Sequence, residues 1–244
     1  MIDIHTHLLY GVDDGPDDFK ESVAMLEETA RQGITHIILT PHYRRRMFSY
    51  PKDRIKDHME KLMPEADRCG IRIYPGCEYH VNSSIVSNFD EGRCSTLADS
   101  PYVLAEYEWQ TEASYIRNTV GQLLSAGYQP IIAHVERYEC MLKDKDLAAD
   151  MQDMGALIQV NADAVLGREG WRLRRYTKYL IRNGFADVVA SDSHGISHRS
   201  CHMKACYEHV AKKFGNDTAD SMFIRVPEKI LKTSTYNRSN KRDG

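Results

Sequence analysis

MIDIHTHLLYGVDDG, residues 1–15, is the stretch on which the reading of the fold turns. A short β-type run, Met1-Ile2-Asp3-Ile4, ends abruptly in His5-Thr6-His7. In a strand, residues i and i+2 point to the same face, so both imidazoles aim at one point. Two imidazoles so placed are the start of a divalent metal site. An HxH pair alone is weak, since two histidines near a chain end are more often surface residues. Asp13 and Asp14, set on a tight turn by Gly15-Pro16, add hard oxygen ligands just downstream. The deciding question is whether other strands also end in metal-binding side chains.

Working outward, strand-like and helix-like segments alternate along the chain. Asp17 to Gln32 reads as a helix, with Phe19, Val23, Leu26 and Ala30 on one face and Gly33 as its stop. His36 to Thr40 reads as a strand closing on Pro41-His42. Lys52 to Cys69 reads as a helix in which Pro64 predicts a kink or break. Arg72 to Glu78 is a strand made bulged or edge-like by Pro75 and Gly76. Ser83 to Ser100 reads as a short helix plus loop. Strands then run from Tyr102 into Glu106, from Pro130 into His134, from Ala156 into Asn161-Ala162-Asp163, and from Asp187 into Ser191-Asp192-Ser193-His194. Helices are expected over Ala113–Ala126, Lys143–Met154, Trp171–Asn183 and Arg199–Phe214, and each of the four is followed by glycine. Residues 1–231 read as one domain, and 232–244 as a polar, loose tail.

The count is seven βα units, whose strands are continuous apolar runs rather than alternating ones. Such runs belong to parallel strands covered on both faces. Six of the seven strands end in a His, Glu or Asp: His5 and His7, His42, Glu78, Glu106, His134, and Asp192 with His194. In an open sheet these ends would lie along a line, whereas in a barrel they form a ring at one mouth. One polar strand end is ordinary. Six drawn from metal-ligand types favour a convergent site, and with it an α/β fold closed as a (β/α) barrel.

Composition excludes several classes. A formal net charge of -3 over 244 residues argues against an electrostatic nucleic-acid binder, while leaving room for a local basic patch. No apolar stretch reaches membrane-spanning length, and MIDIHTH is unlike a signal peptide. The six cysteines are scattered without a CxxC, against a disulfide frame or thiolate zinc site. A soluble protein of a reducing compartment, the cytoplasm, is expected.

The donor types limit the chemistry. Imidazole and carboxylate without thiolate fit Mn, Fe, Zn or Mg. His5, His7, Asp14, His42, Glu78, Glu106, His134, Asp192 and His194 are too many ligands for one ion, so two or three are expected, bridged by a carboxylate such as Glu78. Clustered cations supply hydroxide near neutral pH and clamp the oxygens of an in-line displacement. Hydrolysis of a phosphate ester is the predicted reaction.

These motifs resemble the PHP (polymerase and histidinol phosphatase) superfamily. Within it, DIHTHLLYGVDDGP, TPHY, AHVERY, QVNA and SDSHG are similar to the bacterial manganese-dependent protein tyrosine phosphatases of capsule and exopolysaccharide loci, from Met1 to about Leu231. The resemblance implies a distorted seven-stranded TIM-like barrel with up to three Mn ions. It implies as substrate a phosphotyrosine protein, the cytoplasmic tail of a cognate tyrosine kinase. It assigns His5, His7, Glu78 and Asp192 to one metal, with Glu78 bridging to a site completed by Glu106 and His134. His42 and His194 would hold a third ion. Asp14 matches a position near that ion, as a ligand or a proton-transfer group, and Arg137 and Arg199 match phosphate-contacting arginines. The closing Arg225-Val226-Pro227-Glu228-Lys229-Ile230-Leu231 lacks the family's asparagine, and Val135 replaces the usual proline or isoleucine.

Among other arginines, Arg44 of the run Arg44-Arg45-Arg46 follows His42 and is a candidate for substrate contact, against the reading of a solvated basic loop. No cysteine has an arginine six positions later, so a phosphocysteine route is not expected. Two other readings stand beside the main one: a small-molecule phosphomonoesterase of the histidinol-phosphate type, and a metal-stabilised binding module without catalysis.

Overall fold

The short apolar runs do form strands, and nearly all of them are parallel. The computed structural model describes residues 1–236. Its strands are β1 (Ile2–Thr6), β2 (His36–Leu39), β3 (His42–Arg44), β4 (Phe48–Ser49), β5 (Arg72–Pro75), β6 (Glu78–His80), β7 (Tyr102–Glu106), β8 (Gln129–Ile132), β9 (Leu157–Asn161) and β10 (Val188–Ala190). They form one sheet in the order β1-β2-β5 and another in the order β10-β9-β8-β7-β6-β3-β4. Only β3 and β4, a hairpin not expected from the sequence, pair antiparallel.

Two of the seven expected strands are broken in the middle. β2 and β3 are separated at Thr40-Pro41, where proline has no N–H to give a ladder, and the Pro41 carbonyl instead accepts from the Glu78 N–H at 3.2 Å. β5 and β6 are separated at Gly76-Cys77; a Cβ at Gly76 would lie 2.7 Å from Ile38 Cγ2, so only glycine permits this approach. These breaks divide the ladders into two sheets. β1 meets the extension of β10 through a single parallel bridge, Thr6 with Ser193, and through hydrogen bonds from His7 N–H to the Ser193 carbonyl and from Asp192 N–H to the His5 carbonyl, each 2.9 Å. The fold is mixed α/β around parallel strands, without one continuous closed ladder among the described residues.

The helices are α1 (Phe19–Arg31), α2 (Lys52–Arg68), α3 (Ile85–Asp90), α4 (Ala113–Ser125), α5 (Glu139–Lys143), α6 (Leu147–Met154), α7 (Ala162–Leu166), α8 (Trp171–Asn183), α9 (Met203–Phe214), α10 (Asn216–Asp220) and α11 (Val226–Lys232). α1 starts after Asp18, whose carboxylate accepts from the Glu21 N–H. α2 is continuous through Pro64, which stands on its exposed face. The expected helix over Lys143–Met154 begins only at Leu147: Asp144 turns its carboxylate onto the Asp146 N–H and stops the chain from coiling. Residues 199–202, expected in a helix, are a loop, with Arg199 in the left-handed region at φ 48°. The helical run from α10 through α11 went unread in the sequence.

The apolar side chains separate by strand alternation. Leu104, Ile131, Ala133, Val188 and Ala190 pack on one side with Ile2, Ile4 and Ile38. Val103, Ala105, Ile132 and Val189 pack on the other in the larger core that includes the helices. Glu106 and Asp192 continue the first face by period two. Ser234 and Thr235 are tied to the Ala98 and Asp99 carbonyls, so the chain is not loose directly after α11. The rest of the expected tail, 237–244, lies outside the described residues. No described helix is long and apolar enough to cross a membrane.

Candidate metal centre

β1, β3, β6, β7 and the segments following β8 and β10 deliver their polar ends to one buried point. Glu78 is its hub. Its Oε2 lies 3.2 Å from His5 Nε2, 3.1 Å from His7 Nε2 and 3.0 Å from His42 Nδ1, while its Oε1 lies 2.8 Å from His134 Nε2. Asp192 Oδ1 stands 3.4 Å from His5 Nε2 and 3.6 Å from His7 Nε2. Glu106 lies 3.9 Å from His42 Nδ1 and 4.0 Å from His134 Nε2. Asp14 Oδ1, on the half-exposed side, lies 3.5 Å from His42 Nε2 and 3.4 Å from His194 Nε2. All nine expected ligand residues are thus in one cluster. Three groups have donor atoms close enough for one ion: His5, His7 and Asp192; His42, Glu78 and Glu106; and His7, Asp14, His42 and His194. His42 therefore stands in two groups, nearer to Glu78 than the expected partition places it, and His134 stands against Glu78 outside all three.

The donor set suits divalent cations on two counts. His42 Nδ1, Glu106 Oε2 and His194 Nε2 are buried and lack a hydrogen-bond partner, although Glu78 and Asp14 oxygens are near in poor alignment. Buried polar atoms are ordinarily satisfied, and an ion would satisfy these. The ionisation states also suit a cation. Burial pushes Glu78 and Asp192 upward, but His5 and His42 beside Glu78, and His5, Arg137 and Arg199 beside Asp192, hold both well below the usual carboxylate range. Burial keeps His134 and His194 below the ordinary imidazole value and takes His42 down to about 4, the direction that favours the neutral ring, with one nitrogen open to a cation. Glu106 is the exception, pushed up to about 8 by burial and by Glu78. His5 and His7 are raised despite burial, by Glu78 with Asp192 and by Asp13 respectively, so an incoming cation displaces protons there.

Gln159 and Asn161 were not singled out in the sequence, and Asp13, read there with Asp14 as an oxygen ligand, stands in none of the three donor groups and supports the histidines instead. Asp13 lies behind His7, 2.7 Å from its Nδ1, and also accepts from the His42 N–H at 3.0 Å. Gln159 Oε1 lies 3.1 Å from His5 Nδ1 and accepts from the His134 N–H at 3.0 Å. Asn161 donates to Asp192 Oδ2 at 2.8 Å. The signal for Asp13 was its place in VDDGP; Gln159 and Asn161 stood in QVNA, at the end of a strand that had contributed no ligand. The turn at Asp13 admits only glycine at residue 15, because a Cβ there would collide with the His7 carbonyl. His134 and Asp192 hold φ of 31° and 51°, uncommon for residues with a side chain, as happens where a site dictates the backbone.

Arg137 donates to Asp192 Oδ2 and to Glu169 Oε1, both at 2.9 Å, and Arg199 donates to the same Asp192 oxygen at 2.8 Å. Both guanidiniums are about one-third exposed, at the border between cluster and solvent. Arg44 is held by Glu108 at 2.7 Å, and His80 Nε2 lies 3.1 Å from the same carboxylate oxygen. Arg44 therefore belongs to an ion-paired group beside β6 and β7. Arg45 and Arg46 are exposed.

A parallel α/β fold with a buried imidazole–carboxylate cluster at its strand ends defines the class of metal-dependent hydrolases. More particularly, the chain belongs to the family described as capsular polysaccharide synthesis, CpsB/CapC, whose model matches residues 1–232. It is 32% identical over 238 residues to the tyrosine-protein phosphatase CpsB of Streptococcus pneumoniae, covering 95% of this chain and 98% of that one. It is 27% identical over 241 residues to the tyrosine-protein phosphatase YwqE of Bacillus subtilis, covering 98% and 94%. A crystal structure from work on YwqE and CpsB, described as metal-dependent tyrosine phosphatases, superposes with a TM-score of 0.88 at 26% identity, over 96% of each chain. An organophosphorus hydrolase from Deinococcus radiodurans, at TM-score 0.59, 12% identity and 94% and 92% coverage, shares the fold alone.

Proposed function

We infer that the protein is a metal-dependent tyrosine phosphatase that removes phosphate from the cytoplasmic tail of a tyrosine kinase controlling capsule or exopolysaccharide synthesis. The observation that carries the chemistry is the Glu78 carboxylate facing four imidazoles, the arrangement of a ligand shared between cations. The relatives' activity as tyrosine-protein phosphatases and the family's link to capsular polysaccharide support the substrate and the setting, with the cytoplasm as the place of action.

His5, His7, Asp192 and Glu78 would hold one ion, Glu78, Glu106, His42 and His134 a second, and His194, His42 and Asp14 a third. Manganese is the proposed occupant, in two or three copies, since the donors are imidazole and carboxylate without thiolate. Bound cations would supply a hydroxide equivalent near neutral pH and charge to neutralise the phosphoryl oxygens. The chain's own part is to orient and exclude. Asp192, with its Oδ2 taken by three donors, presents Oδ1 in one direction. Arg137 and Arg199, preorganised by Asp192, offer guanidinium N–H groups to phosphate oxygens. Asp14 is held below the usual carboxylate range by His194 and its neighbouring histidines against the effect of burial, which suits a ligand or a proton acceptor better than an acid. Arg44, tied to Glu108, is proposed at the rim of the substrate site. Overall, water adds to phosphorus, the bond to the tyrosyl oxygen breaks, and tyrosine leaves with a proton. The seven strands, with β1 bridged to the end of β10, are read as a distorted barrel whose mouth is this cluster. Residues 1–231 form the phosphatase domain in this reading, with no nucleic acid or membrane insertion involved.

Turnover of phosphotyrosine and phosphoserine peptides and of histidinol phosphate, with Mn²⁺ and with chelator, tests the proposal alongside metal analysis. Preference for phosphotyrosine with at least two metals per chain is expected. Preference for histidinol phosphate would move the protein to a small-molecule phosphatase.

A further inference from the structure

α8 carries a charge pattern that the catalytic reading does not use. Its sequence, WRLRRYTKYLIRN, holds Arg172, Arg174, Arg175, Lys178 and Arg182 and no acid, in a chain whose net charge is -3. The helix buries Tyr176, Thr177, Leu180 and Ile181, which leaves the cations outward. Trp171, Arg172, Arg175, Lys178 and Arg182, with Lys145 from the loop before α6, line a groove of about 500 Å³. All five basic side chains are exposed, and among the described residues none of them pairs with a carboxylate within 4.0 Å. Of the nearby acids, Asp146 is occupied by the Tyr179 hydroxyl and Asp144 by the Asp146 N–H. Trp171 is 74% exposed, the most open large apolar side chain in the described chain.

Three features separate this surface from an ordinary solvated helix face. Solvated faces usually interleave signs, because like charges three and four residues apart repel along a helix; here Arg172 and Arg175, Arg175 and Lys178, and Lys178 and Arg182 are all like pairs. The first turn is basic where the helix dipole favours acids. The groove's first helical residue is also joined by a short stretch of chain to the proposed site: Trp171 follows Glu169 by two residues, and Glu169 accepts from Arg137 at 2.9 Å. From Trp171 to Arg182 the helix rises roughly 16 Å, the reach of about five extended residues.

Resting on the tyrosine phosphatase reading above, we propose that the α8 groove docks an acidic segment of the substrate polypeptide flanking the phosphotyrosine, with carboxylates on Arg172, Arg175 and Arg182 and an apolar or aromatic side chain on Trp171. Guanidinium forks match carboxylates in two-point contact, and an indole supplies area at low entropic cost. A flanking segment held there delivers the phosphotyrosine to the cluster and raises its local concentration. The groove thus selects among phosphotyrosine proteins, while the metal cluster sees only the phosphate.

The test uses the metal-loaded full chain, its Arg175→Glu/Arg182→Glu variant and a milder Arg175→Gln/Arg182→Gln variant. Two phosphotyrosine peptides that differ only in acidic against amide flanks are compared with p-nitrophenyl phosphate. KM for the acidic peptide should rise roughly tenfold in the reversal variant, less in the neutral one. kcat, and all parameters for the other two substrates, should stay unchanged. The wild-type preference for acidic flanks should fade with salt. Equal KM values for the two peptides in the wild type would overturn the proposal, as would a variant that slows p-nitrophenyl phosphate equally. A separate titration reads Trp171 fluorescence, against a Trp171→Phe control, with the unphosphorylated acidic peptide. Binding there without phosphotyrosine turnover would mean that the groove stands and the phosphatase reading fails; turnover without binding means the reverse. Association with anionic phospholipid vesicles without a preference for acidic peptide would assign the surface to membrane and sink the docking proposal.

Discussion

Asp13 reaches behind His7, with Oδ2 2.7 Å from the imidazole Nδ1, and the same oxygen accepts from the His42 N–H at 3.0 Å. One carboxylate thereby fixes the ring of a histidine on β1 and the backbone at the start of β3. Its negative charge also raises His7 well above the ordinary imidazole value, and His7 in return holds Asp13 low; burial opposes both. A histidine oriented through its far nitrogen presents Nε2 as the donor, and such partners tune ligand basicity.

Asp13→Asn should therefore act on metal affinity first. The amide keeps the shape but not the charge, so apparent affinity for Mn²⁺ should fall about 10- to 100-fold. Activity at saturating Mn²⁺ should recover most of its loss. Isothermal titration with Mn²⁺, run beside turnover on a phosphotyrosine peptide, reads the two effects separately. Unchanged affinity would mean that His7 needs no such support.

Catalysis should depend on metal and not on thiol. Cys77, Cys201 and Cys206 are buried, and burial pushes each thiol upward, Cys77 and the other two alike, which is the wrong direction for a nucleophile. Chelator should abolish hydrolysis, Mn²⁺ should restore it, and iodoacetamide should leave it within about twofold. Full activity in a metal-free, metal-analysed sample contradicts the assignment.

The convergence of the candidate ligands was legible because each sits at the end of a continuous apolar run, where strand direction alone sends it to a common side. His5, Glu106, His134 and Asp192 are of this kind. What stayed hidden were contacts made across the chain: Gln159 to His5, Asn161 to Asp192, Glu169 to Arg137. No spacing rule links residues that stand 31 to 154 positions apart in the chain. Pro64 left a kink or a break open, and the continuous α2 takes away only the break. The α5–α6 break was invisible for a local reason, the Asp144 side chain competing for backbone. Ladder closure could not be read from strand count either, since Pro41 and Gly76 interrupt pairing inside otherwise regular runs.

Glu136 gives a pH prediction. It is buried, its Oε1 accepts from the Asn161 N–H at 2.9 Å, and its Oε2 has no partner. Burial, with Glu169 nearby, pushes it from 4.5 up to about 8. A folded-state pKa above the unfolded one means that the folded form prefers the proton. This contribution is fully present below about pH 4.5 and is lost as pH rises toward about 8. A shift of that size corresponds to at most about 5 kcal/mol. Glu136→Gln keeps the acceptor and removes the titration. In chelated protein, the melting temperature of the variant minus that of the wild type should grow from pH 5 to pH 8 and then level off. A flat difference would show that Glu136 is ionised in the fold.

Arg137 separates phosphate work from structural work. It is tethered to Asp192 Oδ2 and Glu169 Oε1, both at 2.9 Å, and Arg199 shares the Asp192 oxygen. If its guanidinium stabilises phosphoryl oxygens, Arg137→Ala should keep its metals and lose about 2.7–4 kcal/mol of transition-state stabilisation, roughly a hundred- to thousandfold in kcat/KM. Arg137→Lys should recover part of this, because charge remains while the planar fork is lost. Arg199→Ala should lose less, since Arg137 still covers Asp192 Oδ2. Glu169→Gln, which loosens Arg137 without removing it, should cost under about tenfold. The competing role is an ion pair that only keeps Asp192 in position as a ligand. That role predicts a lower metal content and melting temperature in Arg137→Ala, with turnover per bound metal unchanged. Metal analysis, thermal melting and kcat/KM on one phosphotyrosine peptide distinguish the two. Asp192→Asn supplies the reference, because it weakens the ligand directly and should show the metal-loss pattern whichever role Arg137 plays. A match between Arg137→Ala and that reference would take the arginine out of substrate binding.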